Sequence, residues 1–236
     1  MLRRSLFVGL VSTVAACAPL RHTTLPDAEL AAPAPPPVAA PERPAPVFRT
    51  VRPIRCVVHP SVDVWEQRLR SERRLWAATV HSIGRGSEYL PRIREIVTEA
   101  GLPPCIALLP ALESGFHPVA RGRSGSLGLW QLEAATARRY GLVVTKQRDD
   151  RLHPERSTQA AARYLRALHA RYGDWPLALA AYNAGQGRVD RALRRQPGAT
   201  FWDLVDAGHL PRTSCEYVPR FLALVRVVER EPACES

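Results

Sequence analysis

Apolar residues recur at helical spacing through most of the chain from about residue 61 onward. Segment 62–84 places apolar residues at roughly helical spacing, with charged residues among them. This pattern predicts one long amphipathic helix, which we expect to end at Gly84. The apolar positions are Val64, Leu69, Leu75, Trp76 and Val80.

The same helical period continues to the end of the chain, whereas no segment of useful length alternates apolar and polar residues as a strand would. We predict that Pro110 bends the helix that contains it or removes one of its backbone hydrogen bonds. Ser157 is predicted to cap one helix, and Asp174 the most apolar one. The predicted fold class is therefore all-α. The further predicted helices cover residues 89–100, 105–113, 129–140, 158–172, 175–185, 188–195 and 217–229.

The N-terminal end has the pattern of an export signal. Arg3 and Arg4 precede a mostly apolar run over residues 6–14 that is too short to span a bilayer. The run ends in Val-Ala-Ala-Cys, which resembles the lipobox of bacterial lipoproteins and makes Cys17 the lipidation site. Ala18 after the cysteine favours the outer membrane. The alternative is an ordinary cleaved signal peptide with an incidental cysteine.

Composition divides the remaining chain into a tether and a domain. Residues 18–53 are rich in proline and alanine, a composition that favours extended polyproline II over a packed core, and they would reach about 100 Å. We therefore predict a signal peptide at 1–16, a lipidated cysteine with a disordered tether at 17–53, and a folded domain at 54–236. The core of that domain is expected at about 87–230.

The chain is strongly basic, with 33 lysines and arginines against 22 acidic residues and a net charge of +11. Such a charge is compatible with nucleic acid, a membrane surface or an acidic polymer as partner. The arginines are scattered, however, and no nucleic-acid-binding motif accompanies them. We therefore expect a solvated basic surface and no nucleic-acid partner.

The cysteines indicate disulfides rather than a metal site. Of the five cysteines, four remain after Cys17, and an even number in an exported protein predicts two disulfides with three possible connectivities. No C-x-x-C pair or histidine cluster has metal-ligand spacing, so we expect no metal and no cofactor. The four cysteines are Cys56, Cys105, Cys215 and Cys234.

Glu113 directly follows an uncharged run over residues 100–112. A carboxyl group at the end of a buried helix experiences a low dielectric and the negative end of the helix dipole. Because both disfavour ionisation, its pKa is predicted to rise, which is the state that a general acid needs near neutral pH. The alternative is a solvated glutamate at a helix end.

Two downstream segments place polar groups where a polymer could bind. The glycines of SGSLGLWQ allow a close chain reversal, and Gln131 can donate and accept hydrogen bonds to sugars or amides. LAAYNAGQGRV puts Tyr182 and Asn183 at the end of the most apolar helix, where polar groups must be satisfied or must face a cleft. Taken singly, Gln131 fits a surface residue, Tyr182 a core aromatic and Asn183 a helix cap.

In this order, four segments resemble the lysozyme-like lytic transglycosylases of the soluble-lytic-transglycosylase type. LPPCIALLPALESGFHPVA resembles the family segment around the catalytic glutamate, and SGSLGLWQ its Gly-Leu-Met/Trp-Gln turn. HPERSTQAAARYLRALHARYGDWPLALAAYNAGQGRV resembles the stretch ending in Ala-Tyr-Asn-Ala-Gly, and LPRTSCEYVPRFLAL the closing helix with Tyr-Val-Pro. The resemblance covers about residues 89–228 and implies an all-α, lysozyme-like domain at 54–236.

The resemblance implies a murein lytic transglycosylase with Glu113 as its single catalytic acid and base. The glutamate would protonate the glycosidic oxygen between N-acetylmuramic acid and N-acetylglucosamine and then deprotonate the muramoyl carbon-6 hydroxyl. That hydroxyl attacks carbon 1 and gives a 1,6-anhydromuramoyl end. Tyr182 corresponds to a tyrosine that hydrogen-bonds the catalytic carboxyl. The positions that orient the glutamate or the glycan are Ser114, Gln131, Asn183 and Tyr217.

The number of carboxyl groups leaves alternatives open. Ordinary glycosidases use two, and Glu133 is the only second candidate near these motifs. One acid suffices if the nucleophile is a hydroxyl of the substrate itself, because its effective molarity is high. The alternatives are a hydrolytic muramidase of goose-lysozyme type and a non-catalytic murein-binding lipoprotein. The chain departs from the family pattern at Cys105 and at Thr213–Ser214, and the second change lies beside the predicted cleft.

The resemblance also implies partners and a location. The expected partners are the glycan strands of peptidoglycan and, through the lipid anchor, a membrane. The location is the cell envelope of a Gram-negative bacterium, with the protein anchored in the outer membrane and facing the periplasm.

Overall fold

The structure, a computed structural model, describes residues 54, 57–122 and 124–229. The predicted signal segment and tether, together with Cys17, Cys56 and Cys234, lie outside the described residues. Within these ranges the chain forms helices joined by turns, and its only β-pairings are isolated bridges. The predicted all-α fold class is confirmed.

Ten α-helices and two short 3₁₀ helices make up the described part of the chain. The 3₁₀ helices cover Pro104–Leu108 and Asp150–Leu152. The α-helices are α1 (Pro60–Ser71), α2 (Arg73–Gly86), α3 (Leu90–Glu99), α4 (Leu109–Glu113), α5 (Ala134–Arg139), α6 (Pro154–Tyr172), α7 (Trp175–Ala184), α8 (Gln186–Arg195), α9 (Phe201–Asp206) and α10 (Arg212–Glu229).

Helix α7 lies at the centre of the domain, as its apolar sequence predicts. Each of its residues 175–181 is buried, and it packs against α6, α8 and α10. The Asp174 carboxylate accepts a hydrogen bond from the amide of Leu177 at 2.9 Å, and Pro176 occupies the first turn, where no amide donor is needed. The predicted cap at Asp174 is confirmed.

The single helix predicted over 62–84 is wrong. The helix breaks at Glu72, whose φ of −81° and ψ of 102° are extended, so that α1 and α2 are separate helices. Helix α1 packs on α10, whereas α2 packs on α4. Because the two halves bury different faces, three positions assigned to one apolar stripe are exposed: Val64, Trp76 and Val80.

Only the second half of the helix predicted over 129–140 is α-helical, from Ala134 to Arg139. Gly128 has a φ of 80° and Gln131 a φ of 47°. A right-handed helix requires negative φ, so no helix can pass through these residues. Leu129 and Trp130, the apolar residues that suggested a helix here, lie in a turn, and their side chains are buried in the core.

Other helix starts also differ from the sequence pattern. Helix α6 begins at Pro154 after His153, so Ser157 lies inside the first turn and donates to the carbonyl of His153 at 2.8 Å. Helices α8 and α10 begin two and five residues earlier than predicted. Helix α9 was not predicted, because six residues are too few to display a period.

The disulfide prediction remains a prediction. Cys105 is buried in the core, and Cys105 and Cys215 form no disulfide with each other. The other two cysteines of the prediction, Cys56 and Cys234, lie outside the described residues.

One buried arginine clamps the Gly125–Gln131 turn. The Arg151 guanidinium donates to the carbonyl oxygens of Gly125 at 2.9 Å and Leu132 at 3.1 Å. Its charge is balanced by Asp149, which accepts two hydrogen bonds from the guanidinium at 2.9 and 2.7 Å. A forked, charge-assisted pair of this kind fixes the turn against the 3₁₀ helix.

Substitution by alanine is expected to lower the free energy of unfolding by different amounts at two glycines of this turn. Gly125 and Gly128 have nearly equal φ, 79° and 80°. A methyl group at Gly125 would contact nothing, whereas one at Gly128 would lie 2.0 Å from the Arg151 carbonyl oxygen. We expect Gly125→Ala to cost about 1–2 kcal/mol in unfolding free energy, from positive φ alone, and Gly128→Ala at least about 3 kcal/mol. Urea unfolding measures both, and equal losses would contradict the predicted collision.

Candidate active site

Glu113 is the last residue of α4, and a tight turn follows it directly. Gly115 and Phe116 both have positive φ, 60° and 59°, which ends the helix. The left-handed conformation of Phe116 is strained for a residue with a side chain, and it is held because the phenyl ring is buried against Gly86. The packing of this ring therefore fixes the position at which the Glu113 carboxyl leaves the helix.

The Glu113 side chain is partly buried, and the pKa of its carboxyl group is raised accordingly. Burial raises the pKa of Glu113 to about 7. A hydrogen bond from the Tyr217 hydroxyl to Glu113 Oε1 acts in the opposite direction, because it stabilises the charged form. The rise predicted from the position behind an uncharged run is confirmed. Near neutral pH the group can both give up and take a proton.

Tyr217, rather than Tyr182, contacts the carboxyl. The Tyr182 hydroxyl donates to the carbonyl oxygen of Trp130 at 2.7 Å, so the hydrogen bond that the family resemblance implied for Tyr182 is made by Tyr217. Burial and the neighbouring Glu113 raise the pKa of both tyrosines well above the ordinary value. Both hydroxyls therefore remain neutral donors.

Ser114 joins the turn after the acid to the Gly-Leu-Trp-Gln turn. Its hydroxyl lies 2.9 Å from the carbonyl oxygen of Leu129, next along the chain to the carbonyl that accepts from Tyr182. The Trp130 side chain is fully buried and donates to Thr158 Oγ1 at 2.8 Å. These hydrogen bonds connect the turn to three helices. The Leu129 carbonyl bonds to the residue directly after α4, the Trp130 carbonyl to α7, and the Trp130 indole to α6.

Gln131 uses its amide group inside the turn. Its Nε2 donates to the carbonyl oxygens of Ala120 at 3.1 Å and Gly128 at 2.8 Å, and its Oε1 accepts from Ser126 at 2.8 Å. Both amide donors are therefore engaged, and one lone pair of Oε1 remains. Gln131 lines the cleft, but its main contacts hold the turn that shapes the cleft.

Asn183 is oriented by a residue at which the sequence departs from the family pattern. The Ser214 hydroxyl, buried on α10, donates to Asn183 Oδ1 at 2.9 Å. This bond leaves the amide donors of Asn183, which lines the cleft, free to face a ligand. The change at Ser214 therefore takes part in the site, as its position beside the predicted cleft suggested.

These side chains surround a polar cleft of about 380 Å³. Its two acidic lining residues, among the described residues, are Glu113 and Glu133. The cleft is lined by the predicted residues Glu113, Gln131, Tyr182 and Asn183, and also by Glu133, Tyr164 and Arg188, of which Tyr164 and Arg188 were not predicted.

No group of three or more His, Cys, Asp or Glu side chains in the described ranges is arranged to hold a metal ion. Across the same residues, no helix has the length and apolar character needed to cross a membrane.

An all-α, lysozyme-like domain with a desolvated glutamic acid in a polar cleft is the class that fold and site define. Residues 93–205, just under half of the 236-residue chain, match the family model of the transglycosylase SLT domain. The predicted resemblance to the lytic transglycosylases of the soluble-lytic-transglycosylase type is confirmed.

Curated proteins with similar sequences are also named as lytic transglycosylases. Membrane-bound lytic murein transglycosylase D of Escherichia coli is 36% identical over 150 residues, which are 61% of this chain and 32% of the relative. Membrane-bound lytic murein transglycosylase F of Alcanivorax borkumensis is 39% identical over 103 residues, 39% of this chain and 21% of the relative. The chain spans about a third or less of these curated relatives.

A solved structure supports the fold. The crystal structure of an inactive mutant of lytic transglycosylase Slt from Pseudomonas aeruginosa superimposes with a TM-score of 0.50 at 26% identity. The match covers 61% of this chain and 24% of that chain.

Replacing Tyr217 or Tyr182 by phenylalanine is expected to affect the pKa of Glu113 differently. In Tyr217→Phe the hydrogen bond that favours the carboxylate is lost, so the pKa of Glu113 rises further above its ordinary value. In Tyr182→Phe it stays near 7, because that hydroxyl donates to Trp130. A pH titration of the Glu113 carboxyl by carbon-13 NMR measures both. A change in the Glu113 pKa in Tyr182→Phe alone would mean that Tyr182, and not Tyr217, forms the hydrogen bond to the carboxyl group.

Proposed function

We propose that this protein is an enzyme, a lytic transglycosylase that cleaves the β-1,4 bond between N-acetylmuramic acid and N-acetylglucosamine in peptidoglycan. The observation that carries the proposal is the Glu113 carboxyl, with a pKa of about 7, in a polar cleft. A carboxyl group with this pKa is poised to act as acid and as base at neutral pH. The named activities of the family and of both relatives support the substrate.

In the first half of the proposed reaction, protonated Glu113 donates its proton to the glycosidic oxygen. The bond from that oxygen to muramoyl carbon 1 breaks, and the N-acetylglucosamine end leaves with a new hydroxyl. The carboxylate that remains is stabilised by the hydrogen bond from Tyr217. The same hydrogen bond keeps the carboxyl aimed at one place in the cleft.

In the second half, the Glu113 carboxylate removes the proton of the muramoyl carbon-6 hydroxyl. The hydroxyl oxygen bonds to carbon 1 and closes a 1,6-anhydro ring, and Glu113 is protonated again for the next cycle. No second protein carboxylate is needed, because the nucleophile belongs to the substrate and has a high effective molarity. The raised pKa of Glu113 suits one group that acts first as acid and then as base, which favours this route.

Hydrolysis is the second candidate, and one observation favours it: Glu133 lines the same cleft as Glu113. A second carboxylate at a distance that admits water would act as base in an inverting muramidase. The two routes differ in their product. Ring closure gives anhydro ends, and hydrolysis gives reducing ends.

Mass spectrometry of murein sacculi digested by the full chain tests the proposal. We expect 1,6-anhydromuramoyl ends, a loss of about a thousandfold or more in turnover for Glu113→Gln, and little change for Glu133→Gln. Glutamine keeps the shape of the side chain and can still accept from Tyr217, so the two variants are matched. Reducing ends together with an inactive Glu133→Gln would establish hydrolysis. Unchanged turnover in Glu113→Gln would contradict a catalytic role of Glu113 and favour the alternative of a non-catalytic murein-binding protein.

We also propose that the protein is anchored in the cell envelope through a lipid on Cys17. The Val-Ala-Ala-Cys sequence and the proline-rich segment 18–53 support an acylated N-terminus followed by an extended tether. The relatives in Escherichia coli and Alcanivorax borkumensis are named as membrane-bound enzymes, which supports the same location. An outer-membrane anchor with a long tether would allow the domain to reach murein from the periplasmic side.

The substitution Cys17→Ala tests the anchor. We expect the variant to leave the membrane fraction, because the diacylglyceryl group can be attached only to a cysteine thiol. Fractionation of cells that express the full chain measures this, with Cys56→Ala as a control that should remain membrane-bound. Retention of Cys17→Ala on membranes would contradict the proposal.

A further inference from the structure

A second cavity lies beside α4 and shares no lining residue with the catalytic cleft. It has a volume of about 200 Å³ and lies among α1, α2, α4 and α10. Leu69, Leu75, Leu112 and Leu224 form its apolar wall. Sites for drug-sized ligands usually measure about 300–1,000 Å³, so this cavity is suited to a small group rather than to a sugar chain.

Ser82 places an unsatisfied hydroxyl at this cavity. Its side chain is 6% exposed, and its Oγ has no hydrogen-bond partner. Leaving a buried hydroxyl unpaired costs about 1–3 kcal/mol, and such groups in native proteins commonly await a ligand or water. A methyl group placed on Gly115 would lie 3.8 Å from Ser82 Oγ, so the hydroxyl is close to the turn that follows Glu113.

Two arginines without acidic partners also line this cavity. Neither Arg85 nor Arg220 forms an ion pair with any described residue. Arg85 Nε donates to the carbonyl oxygen of Gly115 at 2.8 Å, which leaves its outer guanidinium nitrogens available. Burial and the nearby charge of Arg68 lower the pKa of Arg220, so an anion beside it would be stabilised.

Two arginines, one hydroxyl without a partner and an apolar wall therefore line the cavity. Guanidinium groups bind carboxylates through paired hydrogen bonds, and a hydroxyl can add a further donor. The leucines leave room for a small apolar substituent next to the carboxylate. An amino-acid carboxylate with a methyl side chain has both features.

We propose that this cavity binds a carboxylate-bearing, alanine-containing part of the peptide stem of murein. The inference rests on the proposed function, because only a murein substrate brings this peptide to the protein. The stem is attached to muramic acid, the sugar whose bond Glu113 would cleave, so it leaves the glycan near the acid. Leu112 and Gly115 flank Glu113 in the chain, and Arg220 follows Tyr217 by one helical turn on α10.

Kinetics of the full chain on two substrates test the site. One substrate is glycan that carries its peptide stems, and the other is the same glycan stripped of stems by an amidase. For Arg220→Gln we expect KM to rise about tenfold on the first substrate, the loss of one charge-assisted hydrogen bond, and to stay unchanged on the second. Arg212→Gln is the matched control, because Arg212 is exposed on the same helix and should change neither value.

Equal losses on both substrates in Arg220→Gln would mean that the arginine acts on the Tyr217–Glu113 pair, and the proposal would fall. Unchanged kinetics on both substrates would overturn it as well.

Ser82→Ala separates binding from folding. Because the variant removes an unsatisfied buried hydroxyl, its Tm should stay the same or rise, while KM rises on the peptide-bearing glycan alone. A purely structural role would give a lower Tm and equal losses on both substrates, which would contradict the proposal.

A binding measurement distinguishes this proposal from the proposed function. Titration calorimetry with the isolated stem tetrapeptide should show binding to the unmodified chain that Arg220→Gln and Ser82→Ala weaken and Arg212→Gln retains. If no glycan is cleaved but the tetrapeptide binds in this way, the proposed activity fails and the cavity assignment stands. If glycan is cleaved but the tetrapeptide does not bind and stems do not affect KM, the cavity assignment fails alone.

Discussion

The carboxyl group of Glu113 lies partly buried at the end of a five-residue helix and accepts a hydrogen bond from the Tyr217 hydroxyl. Its pKa is raised from 4.5 to about 7, so the folded chain binds this proton more tightly than the unfolded chain does. Below about pH 4.5 the group is neutral in both states and costs no stability. Stability is lost as the pH rises to about 7, and above that the cost reaches at most about 3 kcal/mol.

The rest of the domain supplies the stability that offsets this cost and the geometry that makes use of it. Burial of Phe116 fixes the turn after the acid, and the turn clamped by Arg151 closes one side of the cleft. Helix α7, buried over most of its length, carries Tyr182 to the carbonyl of Trp130. A carboxyl with a shifted pKa is useful only if the groups around it cannot relax, and these contacts prevent that relaxation.

Helices α4 and α10 connect the two cavities of the domain. Glu113 lines the polar cleft and accepts a hydrogen bond from Tyr217, while Leu112 and Arg220 on the same helices line the second cavity. A substrate with both a glycan and a peptide could therefore contact both cavities at once. The second cavity would then influence binding more than the chemical step, because its groups do not touch the reacting atoms.

The sequence by itself determined the all-α class, the start of the central helix at Asp174, and the raised pKa of the acid behind an uncharged run. These features depend on local period, capping and burial, which a short stretch of sequence displays. Only the tertiary structure decided that Tyr217, 104 residues from Glu113, makes the hydrogen bond that resemblance implied for Tyr182. Only the tertiary structure shows that the first predicted helix ends at Glu72. It also shows that the side-chain amide of Gln131 forms hydrogen bonds within its own turn. Contacts between distant residues depend on how helices pack, and spacing along the chain does not encode that packing.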